Sequence, residues 1–135
     1  MSKKVINSLY WVAMVLLVVW FAYTKGWIFA NFETITPQQA LERIEKNPDI
    51  PVLDVRTPKE FRKGHLPGAT LIPLGKLETN LEKLAAYKKE PIIVYCRSGS
   101  RSVSASRILE KHGFRPLNVK NGLIGLIGAK AQIVK

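Results

Sequence analysis

An α/β domain with a central, largely parallel sheet flanked by helices, preceded by one transmembrane helix, is the fold class the sequence predicts. Three observations predict it. Residues 5–23 form an uncharged, mostly apolar run, "VINSLYWVAMVLLVVWFAY". Two short β-rich runs, "PVLDVR" (51–56) and "PIIVYC" (91–96), have the near-continuous apolar character of strands buried in a parallel sheet. Helical patterns alternate with these runs, as α/β layering requires.

The elements follow in order. No charge stands between Lys4 and Lys25. As a helix, residues 5–23 would span roughly 28 Å, close to the hydrocarbon thickness of a bilayer. Tyr10 and Trp11 stand near one end of the run, and Trp20, Tyr23 and Trp27 near the other, a distribution that suits aromatic belts at two interfaces. The competing readings are a cleaved signal peptide and a buried core helix. Neither "FAYTK" nor "WIFAN" offers a good small-x-small cleavage site, and a core helix is rarely apolar on every face. Residues 1–30 are therefore expected to be an uncleaved anchor with a short linker, and residues 31–135 a single domain.

Within the domain, "TPQQALERIEKN" opens with Thr36 as N-cap, Pro37 at the first helical position and Gln39 completing a capping box. Ala40, Leu41 and Ile44 supply the apolar face of that helix. "TLIPL" predicts a weaker edge strand, because Pro73 has no N–H to give to a ladder. Leu74, Leu77, Leu81 and Leu84 recur at helical spacing, "SVSASRILEKHGF" reads as a helix closed by Gly113, and "PLNVK" gives a last strand.

Composition narrows the chemistry. Cys96 is the only cysteine, which excludes an internal disulfide and a cysteine-rich metal cage. The net charge of +11, from 21 Lys and Arg against 10 Asp and Glu, favours anionic partners. No aromatic-basic motif of a nucleic-acid-binding kind is present, so no nucleic acid is expected. His65 and His112 have no clustered ligands and make no metal site.

Cys96 stands where "PIIVY" gives way to "CRSGSRS" and then to helix. A loop from the carboxyl end of a central strand into a helix N-terminus is where open α/β sheets bind ligands. Helix amides and the dipole favour an anion there, and Gly99 with the serines lets the backbone curl so that its N–H groups converge. Arg97 and Arg101 add full charges. Each feature favours thiolate over thiol, so Cys96 is the candidate nucleophile and Arg97, Ser98, Gly99, Ser100 and Arg101 its anion cradle. Free cysteine also packs well as a small core hydrophobe, but the Arg-Ser-Gly-Ser-Arg flank is poor core material.

"YCRSGSRS" resembles the active-site loop of rhodanese-type sulfurtransferases. "VLDVRTPKEF" (52–61), "KGHLPGATLIPL" (63–74) and "SRILEKHGFRPLNVKNG" (106–122) resemble that family's other segments, in the family's order. The resemblance implies that Cys96 takes the outer sulfur of a small anionic donor such as thiosulfate, becomes a persulfide, and yields that sulfur to an external thiol or cyanide-like acceptor. It implies no cofactor. Asp54 and Arg56 would support the loop by ion pairing, and His65 would shape a turn. The ending "NGLIGLIGAKAQIVK" keeps Gly122 but lacks the family's usual tryptophan, and is closer to small periplasmic, phage-shock-type thiosulfate sulfurtransferases.

Two other functions stay open. A cysteine-dependent phosphatase or arsenate reductase has five residues between its cysteine and arginine, where this chain has the four residues 97–100. A membrane-tethered binding module is the other. Lys3 and Lys4 before the apolar run, with Lys25 after it, favour a cytoplasmic amino terminus and a periplasmic domain.

Overall fold

The computed structural model describes residues 2–25 and 31–135. The expectation for Trp27, like the rest of residues 26–30, lies outside them. The chain divides into two compact units, residues 1–30 and residues 31–135.

The first unit is helix α1, Lys3–Thr24, which starts two residues before and ends one residue after the span expected from hydropathy. Ser2 caps it, its side chain accepting from Val5 N at 3.3 Å. None of its residues is buried, and its length and composition make it a candidate membrane span.

The second unit runs β1 (Glu33–Ile35), α2 (Pro37–Lys46), β2 (Val52–Asp54), α3 (Pro58–Lys63), β3 (Thr70–Leu71), β4 (Pro91–Tyr95), α4 (Ser100–Lys111), β5 (Arg115–Val119) and α5 (Gly122–Gly128). The strands pair in the order β1-β5-β4-β2-β3, every pair parallel. This is the α/β class with a parallel sheet flanked by helices that the sequence predicts. β4 is central: Ile93 stands opposite Val52 on one side and Leu117 on the other.

Alternation along β4 sorts the core into two layers. Ile93 and Tyr95 join Ile35, Ala40, Val52, Leu117, Val119, Leu123 and Leu126, the layer of α2 and α5. Ile92, Val94 and Cys96 join Leu53, Val55, Leu77, Leu84, Ala105 and Leu109, the layer of α4 and the 74–87 segment. Both faces are thus covered, which is why β4 carries no polar alternation. Full burial of each large aliphatic residue contributes about 1.5–3 kcal/mol.

α2 begins with the expected capping box: Gln39 N donates to Thr36 Oγ1 at 3.1 Å, and Thr36 N donates to Gln39 Oε1 at 2.9 Å. The leucine-rich segment departs from expectation by forming 3₁₀ turns, Leu74–Lys76 and Glu78–Tyr87, with a kink at Asn80. The reason is local. Asn80 Nδ2 and Thr79 Oγ1 both donate to Lys76 O, at 2.7 and 3.1 Å, so the carbonyl an α-helix would offer Asn80 N is already taken. Asn80 N bonds Leu77 O instead. β1, α3 and α5 are elements the sequence reading did not delimit.

Candidate active site

Cys96 follows the last residue of β4, and the chain turns through residues 97–99 into α4. Gly99 is the N-cap of α4 with φ of 109°, a left-handed conformation that glycine adopts without steric cost. The turn brings Gly99 N to 3.1 Å from Cys96 Sγ, donating to it. The thiol contacts Ser102 Oγ at 3.6 Å, and the Ser102 hydroxyl donates to Gly99 O at 3.1 Å. Cys96 is 1% exposed, so sulfur forms the floor of the loop and packs with the α4 layer below it.

The cradle residues divide. Arg97 and Ser98 are exposed on the rim, while Gly99 and Ser100 are half-buried. Arg101 does not stand free over the sulfur. Its Nη1 and Nη2 donate to Glu60 Oε1 and Oε2 at 2.7 and 2.9 Å, a two-pronged ion pair. The hydrogen bond from Arg101 is the main reason the Glu60 carboxyl is held down to about 2, against burial that works the other way. Glu60 Oε1 also accepts from Thr57 N and Thr57 Oγ1 at 3.3 and 3.1 Å in the capping box of α3. One carboxylate therefore starts a helix and holds the arginine of the loop.

Asp54 and Arg56, fully buried at 0% and 4% exposed, pair with each other. Arg56 Nη2 donates to Asp54 Oδ2 at 2.7 Å, and Arg56 Nε reaches Oδ1 and Oδ2 at 2.9 and 3.0 Å. The remaining reach of the guanidinium goes to Gly64 O at 2.7 Å. Burial alone would lower the Arg56 pKa, but the hydrogen bond and charge of Asp54 outweigh it and raise it. The guanidinium carbon lies 5.6 Å from the ring centre of Tyr95, the residue before the cysteine. Tyr95 Oη accepts from Leu66 N at 3.1 Å, and burial, followed by the Asp54 charge, raises its pKa. The pair thus braces the end of β4 and the 64–66 turn.

The other wall comes from α5. Leu123 N donates to Cys96 O at 2.8 Å and Ile124 N to Arg97 O at 3.1 Å. Only a residue without a side chain permits this approach: Gly122 has φ of 53°, and an added Cβ would overlap the Cys96 and Arg97 carbonyls. His65 is occupied in its turn, with Nδ1 2.8 Å from Phe61 O and the ring stacked on Phe61 at 3.6 Å. Its backbone exchanges two 2.9 Å hydrogen bonds with Val134, which ties down the carboxyl-terminal segment.

Sequence reasoning missed Glu60 and the Leu123 and Ile124 amides. Part of the signal was available: Thr57-Pro58-x-Glu60 repeats the pattern of Thr36-Pro37-x-Gln39 that delimited α2.

A central parallel strand that delivers a cysteine into a glycine-turned loop at a helix mouth defines an α/β domain of the cysteine-loop class. The family model for the rhodanese-like domain matches residues 36–126, and the chain belongs to that family. A sulfurtransferase of Allochromatium vinosum is 31% identical over 91 residues, covering 67% of this chain and 83% of that protein. The Escherichia coli protein YibN is 30% identical over 136 residues, covering 99% and 93% of the two chains. One Bacillus subtilis relative is matched over 44% of its length. Among solved structures, a rhodanese-related protein of Thermoplasma volcanium superposes with a TM-score of 0.69 at 26% identity, covering 76% of this chain and 98% of that one. The family is one of sulfurtransferases.

Proposed function

We propose that the domain moves sulfane sulfur from an anionic donor such as thiosulfate to a nucleophilic acceptor through a persulfide on Cys96. The observation that carries this reading is the hydrogen bond of Gly99 N to Cys96 Sγ at the mouth of α4. Cys96 thiolate attacks the outer sulfur of thiosulfate. The donor's sulfur–sulfur bond breaks, its electron pair leaves with sulfite, and a Cys96 persulfide anion remains. Cyanide then attacks the outer sulfur and departs as thiocyanate, while the electron pair returns to Sγ. This two-stage exchange is covalent catalysis.

The loop dimensions support sulfur over phosphorus. With Cys96 only 1% exposed, the reacting atom has to enter the loop. A sulfane sulfur is one atom at the end of a bond, whereas a phosphoryl centre brings several oxygens with it. Arg97, exposed and in no ion pair among the described residues, suits electrostatic capture of the incoming anion. Arg101, committed to Glu60, fits a role in fixing the loop's shape. Asp54 and Arg56 support the strand end.

Intact-protein mass spectrometry after incubation with thiosulfate tests the reading. The chain is expected to gain one sulfur atom, which cyanide then removes. An unchanged mass would overturn it.

We also read Lys3–Thr24 as a membrane anchor that keeps Lys3 and Lys4 inside, with the domain on the periplasmic side in a bacterium. A cysteine replacing Lys135 in a Cys96→Ser background reports the side, because position 135 is exposed where Cys96 is not. Labelling by an impermeant maleimide in cells with an intact inner membrane is expected. Labelling only after that membrane is broken would reverse the orientation.

A further inference from the structure

Ile124 and Ile127, on α5, are 56% and 55% exposed, and among the described residues of the domain no other large hydrophobic is comparably open. They stand three apart on one helix, so they share a face, while Leu123 and Leu126, each one residue before them, are buried. Their placement is specific: Ile124 N is bonded to Arg97 O, so the apolar ridge adjoins the rim of the cysteine loop. Arg97, whose carbonyl bonds Ile124 N, and Lys120 and Lys130, which flank α5 in sequence, are exposed and form no ion pair among the described residues.

We propose that this ridge is the docking surface for a protein acceptor, one that presents a reactive cysteine beside an apolar face with acidic residues around it. The inference rests on the reading that Cys96 carries a persulfide. Three observations favour a protein here. The chain has no second cysteine, so the sulfur leaves to an outside nucleophile. The sulfur lies on the floor of a recessed loop, so an acceptor thiol has to be held and aimed into it. An apolar centre with an unpaired cationic rim is complementary to an acidic, apolar-faced partner, and neither feature serves cyanide. In the transfer, the Cys96 persulfide first takes a proton from solvent; the acceptor thiolate then attacks its outer sulfur, which keeps that proton. The bond from Cys96 to that sulfur breaks, its electron pair stays on Sγ, and the acceptor becomes the persulfide.

The test uses the full chain in detergent, with a thioredoxin whose resolving cysteine is changed to serine as the probe protein and cyanide as the small acceptor. Ile127→Ser alters an exposed side chain and is expected to fold. It should raise the KM for sulfur transfer to the probe about tenfold, the equivalent of one modest interface contact. Ile127→Leu should restore the KM, and turnover with cyanide should be unchanged in both variants. Equal KM values for wild type and Ile127→Ser overturn the docking surface. So does a probe that accepts no sulfur while cyanide turnover stays intact, and in that case the Cys96 chemistry still stands. If Ile127→Ser acts only when the chain is moved into anionic lipid nanodiscs, the ridge faces lipid and the proposal falls. Loss of wild-type cyanide turnover would instead strike the underlying reading.

Discussion

Cys96→Ser is expected to lower thiosulfate:cyanide turnover at least about 10³-fold, to the background rate, while urea unfolding shows a chain of nearly native stability. The oxygen of serine is far less nucleophilic than a thiolate toward sulfane sulfur and cannot form the persulfide. The fold should tolerate the change, because the new hydroxyl finds a donor in Gly99 N and an acceptor in Ser102 Oγ, both already beside the sulfur. Its burial in an otherwise apolar layer costs on the order of 1 kcal/mol when it is hydrogen-bonded. Retained turnover in the folded serine variant would rule out covalent catalysis by this residue.

The largest loss of stability is expected from Asp54→Asn. Its carboxylate is fully buried and opposes a guanidinium that is 4% exposed, so removing the charge strands Arg56 inside the protein. Breaking a buried pair from one side costs about 3–5 kcal/mol, a large part of the stability of a domain this size. The urea midpoint at neutral pH should fall accordingly. Activity per folded molecule should change much less, since the hydrogen bonds of the pair go to each other and to Gly64. Replacing both residues with apolar ones of similar volume should recover much of the loss, because no orphaned charge then remains. A midpoint that barely moves in Asp54→Asn would mean that Arg56 is solvated or finds other partners.

Local chemistry made the centre of the fold legible. Thr36, Pro37 and Gln39 announce α2 because a capping box is satisfied within four residues. The two apolar runs became β2 and β4 because parallel strands covered on both faces need no polar alternation. Cys96 was conspicuous for the same reason: an apolar strand passes abruptly into small and basic residues. α5 was not legible, since "GLIGLIG" places three glycines in seven helical residues and glycine disfavours helix. It forms because its glycines allow close backbone approach: a Cβ at Gly125 would press on Pro37 Cγ at 2.7 Å. The Arg101–Glu60 pair spans 41 positions, and no local pattern announces so distant a partner. Asn80 shows the reverse case, in which leucine spacing was read correctly as helical but one side-chain amide changed the kind of helix.

The bonds from Leu123 and Ile124 to the carbonyls of Cys96 and Arg97 also bear on how the protein is made. Synthesis delivers the chain from its amino terminus, and the apolar helix, β2 and β4 all leave the ribosome well before residue 123. Until residues 115–134 are made in their turn, β1 lacks its partner β5, the cysteine loop lacks one wall, and the 64–66 turn lacks Val134. Early segments of a parallel sheet must therefore wait for late ones. A ribosome that stalls near residue 121 would leave a tethered chain holding most of its core sequence and its cysteine, but with that loop unsecured. The reactive centre is completed only after both of its walls, separated by more than twenty residues of sequence, have been made.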